Sequence, residues 1–207
     1  SRNAYDETDA ELAQAFANQA AIAIENARLF EKVQHLAVTD PLTGLYNRRQ
    51  FFELARRELY RSRRYNDEMA LIMLDVDDLK LVNDTYGHQA GDQLIQFIGE
   101  QCRSQLRQTD IAARYAGDEF IIALPGTDLE GGLQVARRIQ EKTNAGFAID
   151  SSTVLSVVVT IGVSSMDETC FSLEMMIARA DKALYSAKEA GKNRIGACEG
   201  NEYKVYE

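Results

Sequence analysis

The sequence contains little cysteine, which argues against two classes of protein. Cys102, Cys170 and Cys198 are an odd number in 207 residues and lack the close spacing of zinc ligands or the density of a disulfide-linked domain. Cys102 belongs to an apolar stripe of helical spacing with Leu94, Ile95, Ile98 and Leu106. We therefore expect a reduced thiol in a core, and a cytoplasmic protein.

Long apolar runs are also missing. The most apolar stretch, residues 154–163, is far shorter than the about 20 residues that span a bilayer, and polar residues interrupt it. It predicts a buried strand, and no membrane segment is expected in this chain. The first residues lack the basic start and apolar run of a secretion signal. Ser1 in place of methionine is expected of a fragment or a processed chain.

Basic residues are outnumbered by acidic ones. The chain has 23 Lys and Arg against 32 Asp and Glu, a net charge of -9. Nucleic-acid binding is disfavoured, because it normally requires a basic surface. A nucleotide is not excluded, because a few well-placed cations and metal ions can bind its phosphates.

Residues 9–38 contain neither glycine nor proline and predict a long helix. Two apolar series recur every seven residues: Ala15, Ile22, Leu29 and Leu36, and beside them Phe16, Ala23, Phe30 and Ala37. This spacing is typical of a coiled coil or of a helix packed on a neighbour. Asp40-Pro41 then ends the pattern, because proline lacks an amide donor and disfavours helix at the residue before it. We place a boundary there, with residues 1–39 as an N-terminal helical segment.

Beyond this boundary, strands and helices are expected to interleave. The patterns predict helices ending near residue 64 and spanning 94–106, 129–142 and 172–190, with strands at 69–74, in a hairpin at 111–124, and at 153–165. This order predicts an α+β fold, in which helices cover a sheet on one side or both.

The hairpin tip carries the most informative motif, Arg114-Tyr-Ala-Gly-Asp-Glu-Phe120. Its two acids, Asp118 and Glu119, lie between two mostly apolar strands and indicate a metal or phosphate site. An ordinary solvated turn is the alternative, because aspartate and glycine are common turn residues.

A second acidic cluster follows the strand at 69–74. It begins with Asp75, Asp77 and Asp78, at the carboxyl end of a buried strand, where sheet proteins often bind ligands. Asp75 and Asp118 would supply two carboxylates for a magnesium ion if their strands are neighbours. For Asp77, Asp78 and Asp84 the alternative is a place in the first turn of a helix, where the helix dipole favours acids.

Together these motifs resemble those of the GGDEF-domain diguanylate cyclases, in the same order. The matching stretches are Asp40 to Arg49, Asp75 to Lys80, Asn83-Asp84, Gly87-His88, Gly91-Asp92, Arg114 to Phe120 and Ala180 to Lys188. The resemblance covers residues 40–197, leaving residues 198–207 as a tail. It implies a nucleotidyl-cyclase-like fold, with a ferredoxin-like core, a mixed sheet covered by helices and an active-site β-hairpin. It also implies that two GTP molecules are condensed to cyclic di-GMP and two pyrophosphates.

The resemblance implies a metal site. Asp75, Asp118 and the main-chain carbonyl of Val76 would bind magnesium or manganese, with two ions per active site. Metal ions bridging the phosphates would stabilise the leaving pyrophosphate and lower the pKa of the attacking 3′-hydroxyl. Asp118 is also implied to be catalytic, and Glu119 to be a second metal-associated or proton-handling acid.

Guanine recognition is implied for Asn83 and Asp92. A carboxylate can accept from the ring N–H and the exocyclic amine of guanine, an arrangement that adenine lacks, so such a site would reject ATP. His88 is implied to contact the ribose or nucleotide, with a helix-capping or core-bridging histidine as the alternative.

Phosphate binding is implied for Lys80, Lys188 and Lys192. Lys192 replaces the arginine usual in the family, which keeps the charge but loses the two-pronged geometry of guanidinium. Lys188 has an alternative role, which is to neutralise the dipole at the C-terminus of its helix.

Arg107 and Asp110 match the RxxD inhibitory site of the family, at which cyclic di-GMP, the product, acts as an allosteric inhibitor; a surface ion pair is the alternative. Because each domain binds one GTP, the reaction implies a homodimer. Residues 17–27 resemble the last helix of GAF-type sensor domains, so the N-terminal helix is expected to transmit a signal.

Ala116 replaces the first glycine of the name motif and would be strained if its φ were positive. Ala116 and Lys192 leave open a catalytically inactive module that binds GTP or cyclic di-GMP as a receptor. An ATP-using cyclase is a third hypothesis, which the guanine-type pair disfavours.

Overall fold

The computed structural model describes Gln14 and residues 16–26, 38–149, 153–200 and 202–206. Residues 16–26 are helical, and the side chains of Phe16, Ile22 and Ile24 in this segment are exposed. Five members of the two apolar series lie outside the described residues: Ala15, Leu29, Phe30, Leu36 and Ala37. The chain divides into two compact units, residues 1–38 and 39–207.

The second unit alternates strands and helices. Its strands are β1 (Tyr46–Asn47), β2 (Met69–Val76), β3 (Ile111–Ala116), β4 (Glu119–Pro125), β5 (Phe147–Ala148), β6 (Val154–Leu155), β7 (Val159–Ser165), β8 (Ile195–Glu199) and β9 (Glu202–Tyr206). Its helices are α1 (Arg48–Tyr65), α2 (Leu79–Tyr86), α3 (His88–Ser104), α4 (Leu129–Asn144) and α5 (Leu173–Glu189). No helix among the described residues has the length and apolarity needed to cross a membrane.

Seven strands form one mixed sheet in the order β1-β3-β4-β2-β7-β8-β9. The β1/β3 and β7/β8 pairs are parallel, whereas β2 is antiparallel to both of its neighbours, β4 and β7. Strands β5 and β6 form a separate small pair. The predicted α+β fold with a mixed sheet is confirmed.

Strand β2 explains why helices cover both faces of this sheet. All eight of its residues are buried, and because successive side chains point to opposite faces, each face receives an apolar row. One row packs against α3 and α4: Ala70, Ile72, Leu74 and Val76 with Leu94, Ile98, Cys102, Leu133, Ala136 and Ile139. The other packs against α1 and α5: Met69, Leu71 and Met73 with Phe51, Ala55, Leu59, Leu173, Met176, Ala180 and Leu184. Cys102 is a buried free thiol, as expected.

The sequence patterns missed several features of the second unit, among them β1, α2 and β8, for which no element was predicted. Helix α3 begins at His88, six residues before the predicted start, because its first turn is largely polar and lacks an apolar stripe. The segment predicted to be a tail contains β9, which pairs with β8 over five residues. Tyr206 of this strand packs against the core cluster that β2 forms with α3 and α4. This edge strand has a half-exposed, charged sequence, Glu-Tyr-Lys-Val-Tyr, which explains why it did not stand out as a strand.

Candidate active site

The end of β2 and the hairpin tip are adjacent. Asp75 is paired in register with Glu119, and the main-chain N–H of Val76 donates to the carbonyl oxygen of Asp118 at 3.2 Å. The two acidic motifs, more than 40 residues apart in the chain, therefore lie on neighbouring strands. This is the condition under which Asp75 and Asp118 could serve one cation.

The end of β2 and the adjacent hairpin tip form an acidic corner, and burial disfavours negative charge there. Burial raises the pKa of Asp75; a hydrogen bond and ion pair with Lys188 oppose the shift, and the charges of Asp118 and Asp77 add to it. Burial also raises the pKa of Glu119, with the charges of Asp75 and Asp118 adding to the effect. The Nζ atom of Lys188 lies 2.9 Å from Oδ1 of Asp75. The corner therefore has an excess of carboxylates that a further cation would stabilise.

The available ligands match the preference of magnesium for a few protein oxygens. Within the described residues, no group of three or more acid, histidine or cysteine side chains could hold a metal ion by itself. Magnesium binds through one or two carboxylates and completes its shell with water and substrate phosphates, so Asp75 and Asp118 fit it. A cation that needs a full protein cage would not fit here.

The hairpin tip accepts alanine at position 116 without strain. In the described part of the chain, the only non-glycine residues with positive φ are Asn66, Asp78, Lys192 and Asn193. The condition under which Ala116 would clash is therefore not met. A bulge between Arg114 and Ala116 shifts the β3/β4 register next to the tip.

Arg114 connects the hairpin tip to the loop that contains Asp40. Its Nε and one terminal nitrogen donate to the carbonyl oxygen of Gly117 at 2.8 and 2.7 Å, and its other terminal nitrogen lies 3.4 Å from Oδ2 of Asp40. The second oxygen of Asp40, Oδ1, accepts from the N–H and hydroxyl of Thr43. These contacts join the Asp40 loop to the hairpin turn, and sequence reasoning assigned neither Asp40 nor Arg114 a role.

The predicted guanine residues lie on and between α2 and α3. The Oδ1 atom of Asn83 in α2 is buried without a hydrogen-bond partner in the described structure. A Cβ atom on Gly91 would lie 1.9 Å from this oxygen, so the absence of a side chain there makes room for Asn83. Asp92 is exposed one turn into α3, and His88 is its exposed first residue, which excludes the core-bridging alternative for His88.

The three predicted phosphate lysines differ in their contacts. Lys188 pairs with Asp75, as described above, at the last turn of α5. Lys192, in the turn that follows, donates to Oδ1 of Asp78 at 2.6 Å, and this hydrogen bond raises the pKa of Lys192. Lys80 is exposed in the first turn of α2. Lys188 and Lys192 therefore flank the acidic end of β2, while Lys80 lies on the α2 side.

Asp77 and Asp78 do not cap a helix with their side chains. Asp78 precedes α2 with a φ of 58° and makes no side-chain cap hydrogen bond. Asp77 is buried and accepts from the hydroxyl of Thr160 at 2.7 Å. Asp77 therefore contacts Thr160, and Asp78 contacts Lys192. Neither acid lies in the first turn of α2, as the helix-dipole alternative required.

Arg107 and Asp110 form a tight turn beside a separate cleft. The N–H of Arg107 donates to Oδ2 of Asp110 at 2.8 Å, and the N–H of Asp110 donates to the carbonyl oxygen of Arg107. A cleft of about 460 Å³ is lined by Gly44, Leu45, Tyr46, Arg103, Leu106, Arg107, Gln108, Asp110 and Ala112. No ion pair links the two predicted side chains in the structure as described, so the surface ion-pair alternative has no support.

A known protein family matches most of the chain. The model of the diguanylate cyclase GGDEF domain matches residues 37–194. Diguanylate cyclase A of Treponema denticola is 36% identical over 188 residues, covering 89% of this chain and 50% of that protein. Diguanylate cyclase DgcP of Pseudomonas aeruginosa is 38% identical over 165 residues, covering 80% of this chain and 24% of that protein. The chain thus spans half or less of the length of these relatives.

Solved structures agree with this match. The coiled coil and GGDEF domain of DgcB from Caulobacter crescentus, solved in complex with c-di-GMP, has a TM-score of 0.79 at 28% identity and covers 90% of this chain and 99% of its own. The active GGEEF domain of a diguanylate cyclase from Vibrio cholerae has a TM-score of 0.70 at 29% identity, covering 74% and 97%. The family match, the shared fold and the ordered motifs lead to one conclusion: this chain belongs to the GGDEF family of diguanylate cyclases.

Proposed function

We propose that this chain condenses two molecules of GTP to cyclic di-GMP and two pyrophosphates. The observation that carries this proposal is the apposition of Asp118 with the end of β2, where Asp75 already contacts Lys188. A pair of carboxylates next to lysine side chains is a suitable site for a metal-bound triphosphate. A GTP-consuming reaction also fits the predicted cytoplasmic location.

Asp75 and Asp118 would hold magnesium or manganese, together with the carbonyl of Val76. Bound divalent ions would neutralise the triphosphate and lower the pKa of the 3′-hydroxyl that attacks the α-phosphate. Lys188 and Lys192 would contact the phosphates as point charges, with Lys80 supporting them from α2. Glu119, with its raised pKa, is suited to hold or transfer a proton beside the reacting groups.

Guanine would bind between α2 and α3. Asn83 would pair with the purine edge through its side-chain amide, whose Oδ1 has no hydrogen-bond partner in the described structure. Asp92 would accept from the ring N–H, and His88 would contact the nucleotide from the start of α3. Adenine would leave these acceptors unpaired, so we expect ATP to be a poor substrate.

Two further properties belong to this proposal. A homodimer is needed, because each domain would present one GTP to the other. Product inhibition is assigned to Arg107 and Asp110, whose cleft has room for a guanine base and phosphate groups beside a guanidinium.

The cyclase is better supported than an inactive receptor module. The receptor hypothesis depends on Ala116 and Lys192, but Ala116 is not in a positive-φ conformation and Lys192 keeps its cation at the acidic corner. Both carboxylates of the predicted metal pair are also retained.

The test is to incubate the purified dimeric chain, freed of bound nucleotide, with magnesium and either GTP or ATP, and to resolve the products chromatographically. We expect cyclic di-GMP and pyrophosphate from GTP and no cyclic product from ATP. A product-free dimer that binds GTP but forms no cyclic di-GMP would support the receptor hypothesis instead.

A further inference from the structure

Asp77 forms a buried junction between three separate segments. Its Oδ2 atom accepts from the Thr160 hydroxyl of β7 at 2.7 Å and from the main-chain N–H of Asn193 at 3.3 Å. The same N–H lies 3.0 Å from Oγ1 of Thr160. The end of β2, the start of β7 and the turn after α5 therefore meet at one carboxylate.

The turn held by this junction has an unfavourable backbone conformation. Lys192 and Asn193 have φ values of 61° and 46°, in the left-handed region. Asparagine tolerates this region, whereas lysine adopts it at a cost, so surrounding contacts must hold the turn in place. On its outer side, Oδ1 of Asn193 accepts from Gln140 at 3.3 Å and from Asn144 at 3.2 Å, both in α4.

A carboxylate is a costly residue to place at this buried junction. Asp77 is only 7% exposed, and its Oδ1 atom has no hydrogen-bond partner in the described structure. Burying a carboxylate with one unsatisfied oxygen costs free energy. Its hydrogen bonds instead fix the backbone next to Lys192, whose side chain then reaches Asp78.

We propose that Asp77 and Thr160 are positioning residues for Lys192, acting through the N–H of Asn193. This inference rests on the proposed contact between Lys192 and the triphosphate of GTP. A turn released from the junction would leave Lys192 charged but unfixed, and a cation that must be ordered on binding contributes less to affinity. The loss would affect triphosphate binding and leave recognition of the guanine base unchanged.

The test compares two probes, a non-hydrolysable GTP analogue and GMP, by titration calorimetry in magnesium buffer. Thr160→Val removes the hydroxyl and keeps the β-branched shape suited to a buried strand. We expect it to weaken binding of the GTP analogue about fivefold, within the range for the net contribution of one ordinary hydrogen bond, and to leave GMP binding unchanged. Thr160→Ser, which keeps the hydroxyl, should restore binding of the analogue.

A matched control is available in the same strand. Ser164 is buried in β7, and its hydroxyl donates to the carbonyl oxygen of Met176 at 2.8 Å. It lies four residues from Thr160, about 13 Å along the strand. Ser164→Ala therefore removes a buried hydroxyl hydrogen bond away from the junction, and it should leave the affinity for both probes unchanged.

Lys192→Met separates the failure of this inference from failure of the proposed function. If Lys192→Met leaves affinity for the GTP analogue unchanged, the proposed role of Lys192 is wrong. If it weakens binding but Thr160→Val does not, the positioning role is wrong. We expect Thr160→Val to have no further effect in the Lys192→Met background, because the two then act through one contact.

A purely structural effect would look different. Thr160→Val would then weaken GMP and the GTP analogue equally, or add its full effect in the Lys192→Met background, and either result would overturn the inference. Should Thr160→Val fail to fold, Thr160→Ala provides the same test, because it removes the same hydroxyl with less bulk next to Asp77. We expect a similar loss of affinity for the analogue and none for GMP. Unchanged affinity for the analogue in Thr160→Ala would also overturn the inference.

Discussion

At the scale of single residues, acids and lysines alternate around the proposed triphosphate site. Lys188 contacts Asp75, and Lys192 contacts Asp78. Two of the three lysines that would bind phosphate thus have a carboxylate partner, and in each of these contacts the acid competes with the substrate for the ammonium group. Affinity for GTP then depends on how strongly each acid holds its lysine.

Asp78→Asn is expected to strengthen GTP binding. The substitution removes the charge that competes for Lys192, and asparagine tolerates the left-handed conformation that Asp78 adopts at a φ of 58°. Because both side chains are exposed, we expect a modest decrease in KM for GTP, about twofold, with kcat retained. Steady-state kinetics at constant ionic strength measure this effect, and a higher KM would show that Asp78 assists substrate binding.

At the scale of secondary-structure elements, the close approach of α5 to the sheet positions Lys188. A Cβ atom on Gly162 of β7 would lie 2.0 Å from the carbonyl oxygen of Ala180 in α5, and one on Gly196 of β8 would lie 2.1 Å from that of Ala183. The helix packs directly on the backbone of two strands. Lys188 reaches Asp75 from the last turn of this helix.

Gly162→Ala should push α5 away from the sheet. The new methyl group would overlap main-chain atoms, which cannot move without shifting the helix, so we expect a loss of about 3 kcal/mol or more of unfolding free energy. Chemical denaturation measures it. Gly132→Ala is the control, because its Cβ would meet only side-chain carbons, those of Ala70 and Val163, at 3.0 and 3.1 Å. Equal losses in both variants would contradict the close-packing explanation.

A partly buried ion pair connects the segment after β7 to α5. Arg179 lies 2.7 Å from Oδ2 of Asp167, and Thr169 donates twice to Oδ1. Burial alone would raise the pKa of Asp167, but the hydrogen bonds from Thr169 and Arg179 outweigh it, so the pKa is lowered. The stability contributed by Asp167 is therefore present above its unfolded-state pKa and is lost as the pH falls through its lowered folded-state pKa.

Asp167→Asn should accordingly destabilise the protein at neutral pH, by about 2 °C in Tm, and the difference from wild type should shrink in acid. Thermal unfolding across a pH series measures both. Glu168→Gln, at an exposed neighbouring acid, is the matched control. A difference that stays constant down to strongly acidic pH would show that the charge of Asp167 contributes nothing.

Local sequence periodicity predicts the elements that bury a whole apolar face. It does not predict elements without such a face, or contacts that depend on how the strands pair. Strand β2 and helix α5 were predictable, because each carries a continuous apolar pattern. Helix α2 buries none of its residues and has no such pattern. Thr160 looks like an ordinary strand residue, and only its register opposite Asp75 brings it to Asp77. Tertiary register of this kind cannot be read from local sequence.

At the scale of the whole molecule, the two predicted nucleotide sites occupy different places. The acidic corner is formed by the ends of β2 and α5 and the hairpin tip, whereas the cleft at Arg107 and Asp110 lies beside the turn that leads into β3. If cyclic di-GMP inhibits the reaction without competing with GTP, it must bind at a place separate from the substrate site.

Arg107→Ala should relieve inhibition by cyclic di-GMP and leave the initial rate unchanged. The side chain lies outside the proposed catalytic residues, so its loss should affect product binding alone. Initial rates at increasing concentrations of added cyclic di-GMP measure this, with Arg57→Ala, an exposed arginine on α1, as the control. Inhibition that remains as strong as in the wild type would show that the inhibitory site lies elsewhere.

The most direct measurement is cyclic di-GMP formation by wild type and Asp118→Asn at equal protein concentration, with GTP and magnesium. Asparagine keeps the size of the side chain and removes the charge needed for the metal, so we expect the rate to fall by about a thousandfold or more. Glu168→Gln should remain as active as the wild type. Cyclic di-GMP formation by Asp118→Asn at a rate near that of the wild type, or none by the wild type, would contradict a catalytic site built on Asp75 and Asp118.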